Sequence, residues 1–168
     1  MNRLFLRDLV AGERSRLRPM SFDDTDLVVA WRNDPEISKW FFGETRFTSD
    51  GHENWLAKRL HSDDEFNWII EDEKRVPIGT IAIYNIDWPN GVAEFGRIVI
   101  GDERAKGKGY AAESVRLAAE WARKAGLCKL FLLVKSSNHR AIQLYLNTGF
   151  RKVSDQDDVD RMELLVRE

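Results

Sequence analysis

The chain has 168 residues and 19.5 kDa, and a hydrophobic content of 43% is enough to build the core of one domain spanning 1–168. Its 26 basic residues are offset by 28 acidic ones without segregation, so a net charge of -2 gives no electrostatic footprint for nucleic acid. The lone Cys128 excludes an intramolecular disulfide and points to a reducing, cytoplasmic setting; no apolar run approaches membrane length, and none follows Arg3 and Arg7 unbroken.

Residues 3 to 20 alternate weakly and predict a strand pair turning near Ala11-Gly12-Glu13, the second strand at Ser15 to Met20. Ser21 to Asp24 supply an N-cap, and Leu27, Val28, Ala30 and Trp31 give a helix that stops at Asn33-Asp34-Pro35, where proline cannot continue it. A short helix from Pro35 to about Trp40 follows. Another begins at Thr48-Ser49-Asp50, with Asp50-x-x-Glu53 as a capping box and Trp55, Leu56 and Leu60 on its buried face. Phe66 to Glu71, Val76 to Tyr84 and Val92 to Ile100 read as a β-meander. A helix from Ala111 buries Val115, Ala118, Ala122 and Ala125 and ends at Gly126, a natural C′ residue. Cys128 is a small apolar residue at a strand edge. After a strand at Leu130 to Val134, Asn138 caps a helix closed by Gly149, and strands at Phe150 to Val153 and Arg161 to Val166 finish the chain.

Between the run Ile98-Val99-Ile100 and the helix at Ala111 lies Lys106-Gly107-Lys108-Gly109-Tyr110-Ala111. A glycine-rich turn from strand to helix points backbone N–H groups, reinforced by the helix dipole, at an anion. A Walker A loop fails here, because its first glycine falls on Asp102 and Gly109 follows Lys108 where a hydroxyl is required. The Rossmann form Gly107-x-Gly109-x-x-Ala112 fits locally, yet the next strand ends at Lys135 with no acid for a ribose.

The third pattern, (Gln/Arg)-x-x-Gly-x-(Gly/Ala), resembles the pyrophosphate loop of the GNAT superfamily of acyl-CoA-dependent N-acetyltransferases, and the resemblance runs from Ala93 to Phe150. Ala93-Glu94-Phe95-Gly96, Ile100-Gly101-Asp102 and the loop stand in the family's order. Its second signature, Asn-x-x-Ala-x-x-x-Tyr, follows as Asn138 to Tyr145, with Ala141 at its centre. Lys106 stands where the family has Gln or Arg, losing the guanidinium fork and keeping the charge. The resemblance implies an α/β (α+β) GNAT fold, a mixed sheet of about seven strands splayed at the acetyl-CoA site and flanked by about four helices.

It implies further that acetyl-CoA is held by Ile98, Val99, Ile100, Lys106, Gly107, Lys108, Gly109, Tyr110, Ala111, Asn138, Ala141 and Tyr145. The phenol of Tyr145 would serve the departing thiolate. Many relatives carry a glutamate in the strand before the Asn signature, where this chain has Leu132-Leu133-Val134; the base is therefore Glu94, His52 or water. No metal enters this chemistry.

On the acceptor side, Trp31-Arg32-Asn33 and Trp40, followed by His52-x-x-Trp55, resemble the subgroup that acetylates nucleotide-linked deoxyaminosugars. Trp31, Arg32, Asn33, Trp40, His52, Tyr84 and Glu94 are the substrate-side candidates, aromatic rings and a planar cation suiting a base and phosphates. At least three of the six tryptophans should only fill core. Ribosomal-protein and spermidine acetyltransferases are the rival subgroups. In Trp40 to Arg46 the balance of Glu44 and Arg46 speaks against a polycation site. A silent acetyl-CoA-binding sensor is the reading from another class. The expected assembly is a monomer or homodimer, with a small-molecule amine as partner and neither nucleic acid nor membrane.

Overall fold

The computed structural model describes residues 4–43 and 46–167. The acid at Glu44 therefore lies outside the described residues, as does Arg3.

Eight strands form one mixed sheet: β1 (Val10–Ala11), β2 (Arg16–Pro19), β3 (Phe66–Glu71), β4 (Pro77–Asp87), β5 (Val92–Ile100), β6 (Lys129–Lys135), β7 (Arg151–Gln156) and β8 (Val159–Leu165). Their order is β1-β2-β3-β4-β5-β6-β8-β7. Five α-helices accompany them among the described residues: α1 (Thr25–Asn33), α2 (Pro35–Ser38), α3 (Ser49–Arg59), α4 (Tyr110–Ala125) and α5 (His139–Asn147). The sheet thus has one strand more than the resemblance implied, because the two-residue β1 pairs with Leu17 and Arg16 at the edge. The extra helix is the single turn α2, started by Pro35 and by Asp34 accepting from the Glu36 N–H at 2.9 Å.

Local chemistry moves several expected boundaries. Leu4–Arg7 form a 3-10 turn, so the first arm of the expected strand pair shrinks to β1. Thr48, not Asp50, caps α3, its hydroxyl accepting from the Gly51 N–H at 3.0 Å. β4 runs on to Asp87 because irregularities in its pairing with β5 absorb the mismatch past Tyr84. Cys128 is exposed just ahead of β6 rather than packed.

Strand alternation sends Phe66, Trp68 and Ile70 to one face and Asn67 and Ile69 to the other. On the first face α4 buries Val115, Ala118, Trp121 and Ala122. There the Trp121 ring lies 5.0 Å from Trp68 and 4.9 Å from Phe66. Each such fully buried large side chain contributes about 1.5–3 kcal/mol. On the second face, α1 and α3 enclose Met20, Val28, Leu56 and Ile69. Trp31, Trp68 and Trp121 are buried, so three of the six tryptophans fill core as expected. No helix among the described residues is long and apolar enough to cross a membrane.

Candidate acyl-transfer site

Among the described residues β5 and β6 are the one parallel pair in the sheet, and they bond only over Val92–Glu94 against Lys129–Phe131. Beyond Glu94 and Phe131 the strands part. Phe95 to Ile100 keep β4 as their neighbour, and Leu132 to Lys135 keep β8. The opening has a floor on the α4 side, where Tyr145 of α5 packs edge-on to Phe95 at 6.1 Å and against Phe150 at 5.7 Å. Tyr145 is 6% exposed, and no hydrogen bond is made by its hydroxyl among the described residues. Burial, with a smaller contribution from Tyr84, pushes its phenol well above the ordinary tyrosine range, so it stays protonated at neutral pH.

Glu94 faces the other side. In register it stands opposite Tyr84, on the face of Asn67 and Ile69. Its carboxylate accepts from the Tyr84 hydroxyl at 3.2 Å and from Asn85 Nδ2 at 2.9 Å. Burial and the nearby Glu94 push Tyr84 up to about 12. Tyr84 crosses β5 over Gly96, where a Cβ would stand 2.7 Å from the Tyr84 hydroxyl, so the glycine is needed for this approach.

At the far end of β5, Gly101 leads through Asp102 into the loop. The Asp102 carboxylate accepts from the Arg104 N–H at 2.9 Å and closes a 3-10 turn at Glu103–Ala105. Gly107 and Gly109 both have positive φ, 72° and 86°, a conformation that suits glycine. Gly109 is the N-cap of α4, which begins at Tyr110, one residue before the expected start. A Cβ at Gly107 would have nothing within 4 Å, and one at Gly109 only Arg14 Nη1 at 3.6 Å, so the turn is an open cradle of main-chain groups. Lys106 Nζ pairs with Glu103. Tyr110 is buried and donates to Glu73 at 2.5 Å, while Arg14 donates to the Lys108 carbonyl at 2.7 Å. Val99 is buried, with Ile98 and Ile100 half-buried beside the core. Asn138 caps α5, accepting from the Ala141 N–H at 3.2 Å, and Ala141 is half-buried. Ala111 is half-buried in the first turn of α4.

A cavity of 460 Å³ opens on the Glu94 side of the sheet, lined by Met20, Val28, Arg32, His52, Trp55 and Arg97 among others. Of the substrate-side candidates, Arg32 and His52 line it. Arg32 lies over the Phe41 ring at 3.8 Å and the Phe47 ring at 4.9 Å. Burial, and then the charge of Arg97, pull its guanidinium down to about 10. Asn33 exchanges two hydrogen bonds with the Phe47 backbone, at 2.7 and 2.8 Å, fixing that ring. His52 is 6% exposed, with Nδ1 3.3 Å from the Thr25 hydroxyl. Its imidazole is held below the ordinary value by burial first and by Arg32 second. Trp31 packs beneath Gly101, and Trp40 lies half-buried with Lys39 Nζ 5.3 Å from its ring; neither lines the cavity.

Arg97 was not among the sequence candidates. Its backbone is at φ 53°, beside the register shift between Thr80 and Ala82, and Thr80 Oγ1 donates to its carbonyl at 2.8 Å. The bulge turns the guanidinium into the cavity, 4.1 Å from the Tyr84 ring centroid and paired with Glu65. The available signal was a charge in the middle of the apolar run Phe95 to Ile100. Asn67, Thr80, Arg46 and Phe47, also lining the cavity, carried none. Among the described residues no group of His, Cys, Asp and Glu is arranged to hold a metal ion.

A family profile described as an acetyltransferase (GNAT) domain matches residues 14–151. The chain is similar to a spermidine N(1)-acetyltransferase of Vibrio cholerae, 28% identical over 135 residues, covering 80% of this chain and 77% of that protein. It is also 29% identical over 147 residues to an uncharacterized protein of Methanocaldococcus jannaschii, covering 84% of this chain but 29% of the length of that protein. The crystal structure of the Vibrio cholerae spermidine N-acetyltransferase in complex with CoA and spermine superposes with a TM-score of 0.84 at 26% identity. The match covers 90% of this chain and 95% of that one.

Proposed function

The chain belongs to the GNAT acetyltransferase family, and from that premise we propose that it moves an acetyl group from acetyl-CoA to the primary amine of a small molecule, by direct attack in a ternary complex. The observation that carries this is the parting of β5 from β6 after Glu94 and Phe131, with the protonated phenol of Tyr145 on one side and the cavity on the other.

The residues present fit acetyl-CoA. The cradle at Gly107 and Gly109, continued by the first N–H groups of α4, suits a pyrophosphate, with Lys106 and Lys108 adding charge. Backbone groups of Ile98 to Ile100, left without a β6 partner, suit an amide-bearing arm, with Asn138 and Ala141 at the start of α5 as its further candidate contacts. The cofactor supplies an acetyl group activated as a thioester.

The chain's own groups manage two protons. The amine must attack in its neutral form, and each Glu94 oxygen accepts one hydrogen bond while keeping a lone pair free to take a proton. As the C–N bond forms and the C–S bond breaks, negative charge gathers on sulfur, and Tyr145 Oη gives its proton there. General acid catalysis of this kind contributes roughly a hundred- to ten-thousandfold.

Two acceptor classes have support. The spermidine acetyltransferases among the relatives favour a polyamine, whereas the nucleotide-linked aminosugar rests on the sequence pattern of Trp31-Arg32-Asn33, Trp40 and His52-x-x-Trp55. A cytoplasmic setting is in keeping with the single cysteine. An acceptor panel of polyamines, short peptides and amines bearing phosphate or carboxylate groups, followed by thiol release from acetyl-CoA, tests the function. Release coupled to one class of amine supports it. Acetyl-CoA binding without release on any amine would make the domain a sensor.

A further inference from the structure

The cavity beside Glu94 is charged in a way that no described residue answers. Arg32 Nε is buried without a hydrogen-bond partner, and so is His52 Nε2. Both side chains line the same cavity. Arg46 and Arg97 line it too, and the nearby carboxylates are already engaged. Glu65 is shared between Arg59, at 3.1 Å, and Arg97. Asp24 is held by both terminal nitrogens of Arg18 at 2.9 Å and by the Ser21 N–H at 2.8 Å.

Arg32 itself is half-buried, but a buried N–H without an acceptor is costly, and more so on a charged group. The site is nonetheless built to keep Arg32 in place. Phe41 and Phe47 hold its plane, and Asn33 fixes Phe47 through both of its backbone hydrogen bonds. Such a fork, held between two rings with its Nε out of water, suits a planar or tetrahedral oxyanion far better than an ammonium.

We propose that this end of the cavity is an anion subsite, and that the acceptor is a primary amine carrying a phosphoryl or carboxylate group seated on Arg32 Nε and His52 Nε2. The subsite deepens the acetyltransferase reading and rests on it for the amine end. In the tautomer whose Nδ1 accepts from the Thr25 hydroxyl, 3.3 Å away, His52 would present Nε2–H to the anion. Arg97, bent inward by the bulge, adds attraction, and its stack on Tyr84 links the subsite to Glu94. A polyamine brings several positive charges to the same wall and is repelled by it.

The test is calorimetric titration of the full chain, saturated with acetyl-CoA so that the cofactor's own phosphate contacts are filled, using inorganic pyrophosphate and malonate as probes. At least one probe should bind one-to-one, and R32Q should weaken it by tenfold or more while acetyl-CoA affinity is kept. In wild-type turnover the same probe should compete with the acceptor amine and not with acetyl-CoA, a reading that needs no variant to fold. The amine panel should favour anion-bearing amines over spermidine by at least tenfold in kcat/KM. Unchanged probe affinity in R32Q, or efficient spermidine turnover indifferent to both probes, would overturn the subsite and leave the acetyltransferase standing. Probe binding at Arg32 without turnover of any amine would keep the subsite and sink the acetyltransferase.

Discussion

Trp31 occupies the space that a side chain on Gly101 would need: a Cβ built there runs into the indole. This joins α1, whose next residue Arg32 enters the cavity, to the end of β5 just before the glycine turn. Gly101→Ala should therefore cost about 1–3 kcal/mol through overpacking, seen as a lower urea midpoint. In a Trp31→Ala background the same change should be nearly neutral, the non-additivity expected of residues in contact. Additive losses in the double variant would mean that the two do not share this space.

Gly109 matters to the cradle more than Lys106. At φ 86° a β-branched residue is strained by roughly 1–2 kcal/mol, and relieving that strain would distort the turn that aims the main-chain amides. Gly109→Val should abolish acetyl-CoA binding in calorimetry. Lys106→Gln should weaken it modestly, since Lys106 Nζ already pairs with Glu103. Full affinity in Gly109→Val would remove the turn from the site.

His52 carries a pH dependence with a definite sign. Its folded pKa lies below the unfolded value of about 6.5, chiefly through burial. The unfolded chain therefore takes up this proton first as pH falls, so the contribution to stability is complete above about 6.5 and declines below it until the folded group titrates too. Wild type should lose more stability than His52→Gln between neutral pH and about pH 5. Parallel curves for the two proteins would show that His52 is not held in its neutral form by folding.

Where physical causes are local, the sequence was read closely. β3 and β5 fall on the expected residues because apolar β-branched runs end at turn-rich segments, and α4 ends at Gly126, at φ 95°, as a C′ glycine should. The cradle was legible because two glycines and a helix start are contiguous. The cavity was not. It is assembled from α1, α3 and the residues before it, and strands β3, β4 and β5, and Arg97 enters it only through a bulge that depends on the β4 partner. Trp31, expected to meet substrate, serves instead as the packing partner of Gly101, a pairing between residues far apart in the chain.

Transfer should not pass through an acetylated enzyme. Cys128 is exposed ahead of β6 and outside the cavity lining, so it is not placed to act as a nucleophile there. Cys128→Ser should retain activity, and initial-rate plots against both substrates should intersect. An acetyl adduct found by mass spectrometry before amine is added would contradict this.

The most direct test is the turnover of Tyr145→Phe at saturating acetyl-CoA and amine. The hydroxyl makes no hydrogen bond among the described residues, whereas the ring packs on Phe95 and Phe150, so the substitution removes the proton and spares the packing. Turnover should fall by roughly a hundredfold or more, equivalent to about 3 kcal/mol, with acetyl-CoA affinity and melting temperature nearly unchanged. Wild-type turnover in this variant, or an equal loss of cofactor affinity, would contradict the assignment of Tyr145 as the acid for the departing thiolate.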